Sequence, residues 1–346
     1  MDFRRSPAQQ LLVSTARDFL KARADDETLW RRMAELGWPG LLVPSDLGGS
    51  GGSLLDVVLL VEEMGRAAAP GPFVPSAVVA TSLLLASGHA EHRKHLLPVM
   101  AAGERIVGVA LADDGGVSLE KGRLTGRKLF VEAADVADAL LVVARADRDL
   151  ALVLVPTDRP GLAQYPLDTI GGDTVFEVTF DAVAVGGEDR LSPTDTGREW
   201  LAAALQAGAL ARTAEMVGAA QRVLELAVEH AKTRVQGGRP IGGYQAIQHA
   251  CADLVRDVDA SRGLLYAAAW AASEGLPASA DVAMAKAYAS EACLTAARRG
   301  HQIFGAIGYC AEHPLHVLHK RILAASLDCG DVPWHLEAVA QAIGLR

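Results

Sequence analysis

The chain has 346 residues, and its 33 Lys+Arg against 42 Asp+Glu give a formal net charge of −9. Half of the residues are hydrophobic, which supplies a large core and excludes an intrinsically disordered chain. The acidic balance and the low aromatic content, 5%, argue against nucleic acid as a partner, because that partner needs a basic face and stacking rings. At roughly 100–200 residues per domain, the length predicts two or three domains.

The first third of the chain has the hydrophobic spacing of α-helices. Leu12, Ala16, Phe19 and Leu20 recur at helical intervals, and similar patterns continue as far as residue 105. A Gly-rich loop at 44–52 and the tripeptide Pro-Gly-Pro at 70–72 interrupt them. We therefore predict an N-terminal helical domain over residues 1–105.

Short β-rich runs begin after residue 105 and are separated by Gly, Asp and Pro. They lie at 106–111, 140–143, 150–155 and 175–180, and they predict a middle β domain over residues 106–192. Helical patterns return at 198–232, and three more follow at about 243–273, 277–304 and 313–326. These patterns predict a C-terminal helical domain over residues 193–346.

The cysteines and the apolar runs exclude several classes of protein. The four cysteines form no C-x-x-C pair, so neither a zinc site nor a redox motif is predicted. His313, His316 and His319 recur every third residue, but no carboxylate or cysteine completes a ligand set, and we predict no metal. No apolar run approaches the roughly 20 residues that span a bilayer. With no signal-peptide pattern at the start, we expect a cytoplasmic protein without a membrane span.

Three blocks in the same order resemble the acyl-CoA dehydrogenase family. Residues 33–44 (MAELGWPGLLVP) resemble a block of the family's first domain. Residues 234–245 (RVQGGRPIGGYQ) resemble its flavin-binding pattern R-x-x-F-G-x-P-I-x-x-F-Q. Residues 302–314 (QIFGAIGYCAEHP) resemble its pattern Q-x-x-G-G-x-G-Y followed by E-x-P. The resemblance therefore extends over most of the chain.

The resemblance implies a fold, a cofactor and a reaction. The α+β fold would comprise an N-terminal helical domain, a β-barrel-like middle domain and a C-terminal four-helix bundle. The reaction would be the α,β-dehydrogenation of an acyl-CoA thioester, with FAD as the electron sink and an electron-transfer protein as its acceptor. The family's tetramer, a dimer of dimers built from the C-terminal helices, is also implied.

The resemblance also implies which residues contact FAD. The flavin ring would pack beside the middle domain, and the ADP end would be held by a neighbouring subunit. The residues implied at the ADP end are Arg234, Gln236, Gln245, Gln302 and Gly305. Arg234 would lie on the pyrophosphate through charge-assisted hydrogen bonds, and Gly305 would allow close backbone approach to the adenosine. The ring contacts would be Phe130 and Val131, in a segment that resembles the flavin strand K-x-F/W-I-T/S-N.

The family's catalytic carboxylate is missing. The family places a glutamate either in a turn after the last helix or on the long helix before the flavin-binding block. The corresponding residues are Cys329 and Gly208, and neither carries a carboxylate. Asp328 and Asp331 flank that turn, but a base displaced by about 1 Å can lose on the order of 100-fold in rate. We therefore expect no working base in this chain.

Two departures in the middle domain point the same way. The run at 110–116 lacks the hydroxyl that the family offers to the flavin. Glu132 replaces a small hydroxyl residue in the flavin strand, and a carboxylate there would repel a reduced, anionic flavin.

Some bacterial members of the family are heterotetramers in which one subunit type lacks the base and completes the flavin site of the other. They include enzymes that act on steroid side-chain CoA thioesters. This chain resembles the base-lacking partner and would need a homologous, base-carrying subunit. Two alternatives stay open, namely an autonomous dehydrogenase that uses Asp328 or Asp331 and a flavin-free assembly scaffold.

Overall fold

The computed structural model describes residues 4–22, 26–87, 89–111, 116–147, 149–191 and 198–345. Most of the hydroxyl-free run at 110–116 and the predicted domain boundary at 192–193 lie outside these residues. The division into three domains at 105 and 192 therefore stays a prediction.

Helices form the N-terminal part of the described chain. They are α1 (Pro7–Lys21), α2 (Asp26–Glu35), α3 (Leu54–Ala67), α4 (Thr81–Ala86) and α5 (Ala90–Ala101), with a π-helical segment, Phe73–Ala80, before α4. Helix α3 begins at a capping box in which Ser53 and Asp56 each bond the other's backbone N–H. The middle of α3 is buried without a break from Val57 to Gly65, including Glu62 and Glu63, so it is the central helix of this part.

A mixed sheet of seven strands forms the middle part within the described residues. The strands are β1 (Val107–Ala110), β2 (Ser118–Glu120), β3 (Arg123–Glu132), β4 (Ala139–Ala146), β5 (Asp149–Pro156), β6 (Leu162–Leu167) and β7 (Val175–Ala184). Strand β1 lies parallel to β4, β4 and β5 form an antiparallel hairpin, and β3, β7 and β6 are antiparallel neighbours. One face packs on the helices through residues such as Leu141 and Leu152. The other face has its own core around Leu124, Phe176 and Phe180.

The C-terminal part contains three long helices and two shorter ones among the described residues. They are α6 (Glu199–Thr233), α7 (Gln245–Ser273), α8 (Ser279–Phe304), α9 (Leu315–Leu327) and α10 (Val332–Ala342). A short hairpin of β8 (Val235–Gln236) and β9 (Arg239–Pro240) joins α6 to α7. Helix α6 packs on α3, α7, α8 and α9, so it is the axis of the molecule.

The α+β fold and its helical–β–helical order are confirmed. All four predicted β runs are strands, and the four predicted C-terminal helices end within two residues of their observed limits. Strands β2 and β6 and helix α10 were not predicted, and of β3 only the end from Lys128 was expected, from its resemblance to the flavin strand. Within the described residues, no helix is both long and apolar enough to cross a membrane, and no group of three or more His, Cys, Asp or Glu is placed to hold a metal ion.

Helices α3 and α6 cross in backbone contact because each has a glycine at the crossing. A Cβ atom added at Gly65 would lie 2.1 Å from the carbonyl oxygen of Glu215, and one added at Gly218 would lie 1.8 Å from that of Glu62. Neither neighbouring atom can move without shifting a helix. The close approach fixes α6 against α3, and α6 carries much of the candidate site.

We expect G218A to lower the free energy of unfolding by about 3 kcal/mol, because the added methyl group overpacks the α3–α6 crossing. Urea denaturation at neutral pH measures this loss. The matched control is G263A on α7, where an added Cβ meets nothing within 4 Å and helix propensity favours alanine by about 1 kcal/mol. Equal effects of the two substitutions would contradict the backbone contact.

Candidate functional site

The two positions predicted for the base lie side by side. Gly208 is on α6 and Cys329 is in the turn between α9 and α10, and a Cβ atom added at Gly208 would lie 2.6 Å from Cys329 Sγ. Both family positions therefore correspond to one place in the molecule. Cys329 contributes a thiol there, and Gly208 contributes no side chain. Burial and the neighbouring Asp328 raise the pKa of the Cys329 thiol well above its ordinary value, so the thiol keeps its proton at neutral pH.

Asp328 is engaged in an ion pair. Arg212 Nε donates to Asp328 Oδ2 at 2.6 Å, and the backbone N–H of Cys329 donates to Asp328 Oδ1 at 2.8 Å. Burial raises the pKa of Asp328, but the charge of Arg212 outweighs it, and the pKa lies below its ordinary value. A carboxylate with a lowered pKa is a weak proton acceptor, so Asp328 is poorly suited to act as a base.

Asp331 caps a helix. Its Oδ1 accepts a hydrogen bond of 3.0 Å from the backbone N–H of Trp334 at the start of α10. This arrangement is an ordinary N-cap, which satisfies a free donor of the first turn. The Asp331 carboxylate is exposed and has a structural role there.

Arg212 is the centre of the site. It lies on α6 one turn after Gly208, with 7% of its side chain exposed, and it contacts three carboxylates. Its Nη2 donates to Glu132 of β3, its Nη1 donates to Glu215 Oε2 at 2.8 Å, and its Nε holds Asp328. We call the group Glu132, Arg212, Glu215, Asp328 and Cys329 the Arg212 junction. It joins the sheet, the long helix and the turn that corresponds to the family's base turn.

Burial in the Arg212 junction raises the pKa of Glu132. Burial raises the pKa of Glu132 to about 7 from an ordinary value of 4.5, against the opposing effect of Arg212, and Asp328 and Asp173 raise it further. Arg321 Nη2 on α9 binds Asp173 Oδ2 at 3.2 Å and Glu215 Oε1 at 3.1 Å, which extends the charged network.

A buried lysine holds the turn itself. Lys286 on α8 is fully buried, and its Nζ donates to the carbonyl oxygens of Ser326 at 3.0 Å and Gly330 at 2.9 Å. Burial lowers its pKa to about 8. His335 Nε2 lies 3.1 Å from the carbonyl oxygen of Cys329. These contacts fix the backbone of the turn, although the carboxylate that it would present is absent.

The residues implied for the ADP end of FAD lie together at one end of the helical domain. His230, one turn before Arg234, stacks on Phe304, with ring centroids 4.4 Å apart, so the ends of α6 and α8 meet there. All five residues are exposed: Arg234, Gln236, Gln245, Gln302 and Gly305. Gly305 has a φ of +64°, and an added Cβ would meet nothing within 4 Å, so this backbone is open to a ligand.

The residues implied for the flavin ring lie far from that end. Phe130 is exposed with a φ of +56°, whereas the Val131 side chain is buried in the sheet. Their neighbour Glu132 contacts Arg212, which precedes Arg234 by 22 residues along α6. At 1.5 Å per residue, that is about 33 Å along the helix. The two sets of residues therefore lie near opposite ends of this stretch of α6.

Sequence reasoning missed Arg321, Lys286, Glu215 and Asp173. It also treated Glu132 only as a departure from a pattern. A sequence signal existed for Lys286, because a lysine flanked by Ala on an otherwise apolar helix face is unusual. The pairings between distant segments carried no such signal.

We expect Glu132 to make the protein less stable as the pH rises. A carboxyl whose pKa is about 7 in the folded state and 4.5 when unfolded binds its proton more tightly in the folded state. The stabilisation of the folded state by this proton is complete below pH 4.5 and is lost as the pH rises through 7. The change is about 3 kcal/mol at 1.36 kcal/mol per pKa unit. E132Q removes this titration. The free energy of unfolding of E132Q, measured with urea, should exceed that of the wild type by an amount that increases between pH 5 and 7.5.

The control for that measurement is E177Q, which removes a carboxylate that pairs with Arg127 on the same sheet. A pH-dependent gain of the same size in both variants would show that the effect is not specific to the Arg212 junction.

Comparison with known families gives two matches that together cover most of the chain. The model described as "Acyl-CoA dehydrogenase, N-terminal domain" matches residues 5–104, and that described as "Acyl-CoA dehydrogenase, C-terminal domain" matches residues 195–344. Acyl-CoA dehydrogenase FadE27 of Mycobacterium tuberculosis is 33% identical over 314 residues, which cover 86% of this chain and 83% of FadE27. Acyl-CoA dehydrogenase IpdE2 of the same organism is 34% identical and covers 86% and 81%.

Solved structures agree over the whole length. Butyryl-CoA dehydrogenase from Megasphaera elsdenii superposes with a TM-score of 0.92 at 25% identity, and each chain is covered completely. A chain of the ChsE4–ChsE5 complex from Mycobacterium tuberculosis superposes with a TM-score of 0.92 at 29% identity, again with complete coverage of both chains.

Proposed function

The chain belongs to the acyl-CoA dehydrogenase family of FAD-dependent oxidoreductases acting on CH–CH bonds, and we propose that it is the base-lacking subunit of a heteromeric enzyme. One observation carries the proposal. Gly208 and Cys329 meet at the single place where the family's base would lie, and neither supplies a carboxylate. The nearest acid, Asp328, is held by Arg212 with a lowered pKa.

The residues of this chain fit one half of FAD. The exposed end of α6 and α8 offers a guanidinium, amide groups and an open glycine backbone, which suit a pyrophosphate and an adenosine. The ring strand does not fit, because Glu132 and Arg212 fill the position where a small hydroxyl would meet the flavin. About 33 Å of helix α6 separates the two regions, which supports a flavin shared between subunits.

In the proposed complex, a homologous subunit supplies the base and the ring strand. Arg234 of this chain holds the pyrophosphate, Gln236 and Gln245 contact the polar linkage, and Gln302 and Gly305 meet the adenosine. Bound FAD supplies the electron sink for the hydride that leaves the β-carbon of the acyl-CoA thioester. This chain thereby orients the cofactor and leaves proton abstraction to its partner.

Two of the similar proteins support the proposed partners, which are a second subunit and an electron acceptor. One structural neighbour belongs to a complex, ChsE4–ChsE5, which supports a heteromer. A relative of 29% identity from Acetobacterium woodii is named Caffeyl-CoA reductase-Etf complex subunit CarC, which supports an electron-transfer acceptor. We extend the proposal to a dimer-of-dimers tetramer that oxidises an acyl-CoA in β-oxidation, with a fatty acyl or steroid side chain. The four free thiols support a reducing, cytoplasmic setting.

We expect the chain purified alone to contain almost no FAD, and the complex with a base-carrying homologue to contain one FAD for each pair of chains. R234Q should weaken FAD binding to the complex by at least about tenfold, because charge-assisted hydrogen bonds contribute about 1.5–3 kcal/mol. Absorbance and equilibrium titration measure both quantities. K232Q removes a positive charge two residues away and is the control. FAD bound to the isolated chain at a ratio near one would overturn the proposal, and its absence from every complex would favour the flavin-free scaffold.

D328N and D331N separate the proposal from the autonomous alternative. A working general base contributes about 10²–10⁴-fold to the rate, so its removal should abolish measurable turnover. We expect neither variant to reduce turnover of the complex by that factor. A loss of 10²-fold or more in either variant, with FAD still bound, would identify that aspartate as the base.

A further inference from the structure

Two arginines of the C-terminal helices each bind a carboxylate of the sheet domain. Arg212 on α6 binds Glu132 at the end of β3, and Arg321 on α9 binds Asp173, which follows β6 in the loop to β7. Glu215 on α6 lies between them and accepts hydrogen bonds from both guanidinium groups, at 2.8 Å from Arg212 and 3.1 Å from Arg321. The two ion pairs are therefore one network and not independent contacts.

The network also reaches the N-terminal helices. Arg321 Nη2 donates to the carbonyl oxygen of Ala69 at 2.9 Å, just after α3. Asp328 adds the turn between α9 and α10 through its bond to Arg212. All three parts of the chain thus meet at this charged network, in which Arg212, Glu215 and Arg321 are buried. We call Glu132, Asp173, Glu215, Arg212 and Arg321 the latch.

Exposure shows which side of the latch is open. The Arg212 side chain is 7% exposed, whereas those of Glu132 and Asp328 are 23% and 42% exposed. The guanidinium lies beneath two carboxylates that reach toward solvent. A flat ring entering from that side would meet two anionic groups in place of the hydroxyl donor that the resemblance implies.

The charges do not balance without a proton. The cations Arg212, Arg321 and Lys286 face four carboxylates, Glu132, Asp173, Glu215 and Asp328, which leaves one negative charge in excess. Accordingly, burial raises the pKa of both Glu132 and Asp173. Another anion, such as a reduced flavin, would increase this excess in a poorly solvated place.

We propose that the latch closes this chain's own ring position, so that the sheet domain is locked on the helices and an isoalloxazine ring cannot enter. The inference rests on the proposed function, since it explains why the ring of a shared flavin lies only in the partner. The ion pairs of this chain fill its ring position, in addition to the loss of the residues that would contact a flavin ring. Opening it requires the removal of Glu132, whereas removal of Arg212 alone would leave its carboxylates unpaired.

The test uses riboflavin, which carries the isoalloxazine ring without a phosphate or an adenosine and so does not report on the Arg234 surface. Fluorescence titration of the isolated full-length chain compares the wild type with E132T/R212L. We expect the double variant to bind riboflavin at least about tenfold more tightly than the wild type. The matched control is R66L/E225L, which removes a bidentate ion pair of α3 and α6, with bonds of 3.0 and 2.6 Å, outside the latch. It should bind riboflavin no better than the wild type.

Two outcomes would overturn the latch. One is a wild-type chain that already binds riboflavin as tightly as E132T/R212L. The other is a double variant that melts cooperatively and still binds no better than R66L/E225L. If E132T/R212L does not fold, E132T alone decides, because Arg212 then keeps Glu215 and Asp328 as partners. E132T must then bind riboflavin more tightly than the wild type, or the latch is overturned. None of these results depends on a partner subunit, so the latch and the proposed heteromer can fail separately.

Discussion

The buried guanidinium of Arg212 constrains the arrangement of the whole molecule. An unpaired charge at that depth would cost several kcal/mol, so the fold must bring carboxylates to it from elsewhere in the chain. They come from β3, from the next turn of α6 and from the turn after α9. These directed ion pairs add to the apolar packing between the sheet and the helices. The Arg212 junction therefore constrains the position of the sheet on the helices.

The base turn has kept its backbone and lost its acid. Lys286 binds the carbonyl oxygens of Ser326 and Gly330 on either side of Cys329, and a buried lysine with a pKa near 8 is an expensive way to hold a surface turn. Gly208 leaves room for Cys329 Sγ, since a side chain at 208 would collide with it. Restoring a glutamate at either position alone would place it against the other residue or beside Asp328. The site therefore differs from one with a base at several residues together, and not only by one missing side chain.

Sequence patterns predicted the elements that have a regular period and missed those that do not. Strand β3 contains Gly126 followed by two adjacent charged residues, and its register with β7 shifts between Lys128 and Val131, so its hydrophobic alternation is broken. The two base positions could be located from the family resemblance, but their contact could not. The pairing of Arg212 with Asp328 joins residues 116 positions apart, and the sequence marks neither as a partner of the other. Charged residues on apolar helix faces, such as Lys286, were the available and unused clue.

The two halves of the flavin contact surface are subject to separate constraints because helix α6 holds them about 33 Å apart. A change at Glu132 affects a ring beside this chain's own sheet, whereas a change at Arg234 affects a cofactor whose ring lies elsewhere. One half can therefore be filled by ion pairs while the other keeps its open glycine and exposed donors. A fold in which a cofactor is shared between chains permits this division. A chain that bound the whole of its own FAD could not lose the ring end and retain any use for the ADP end.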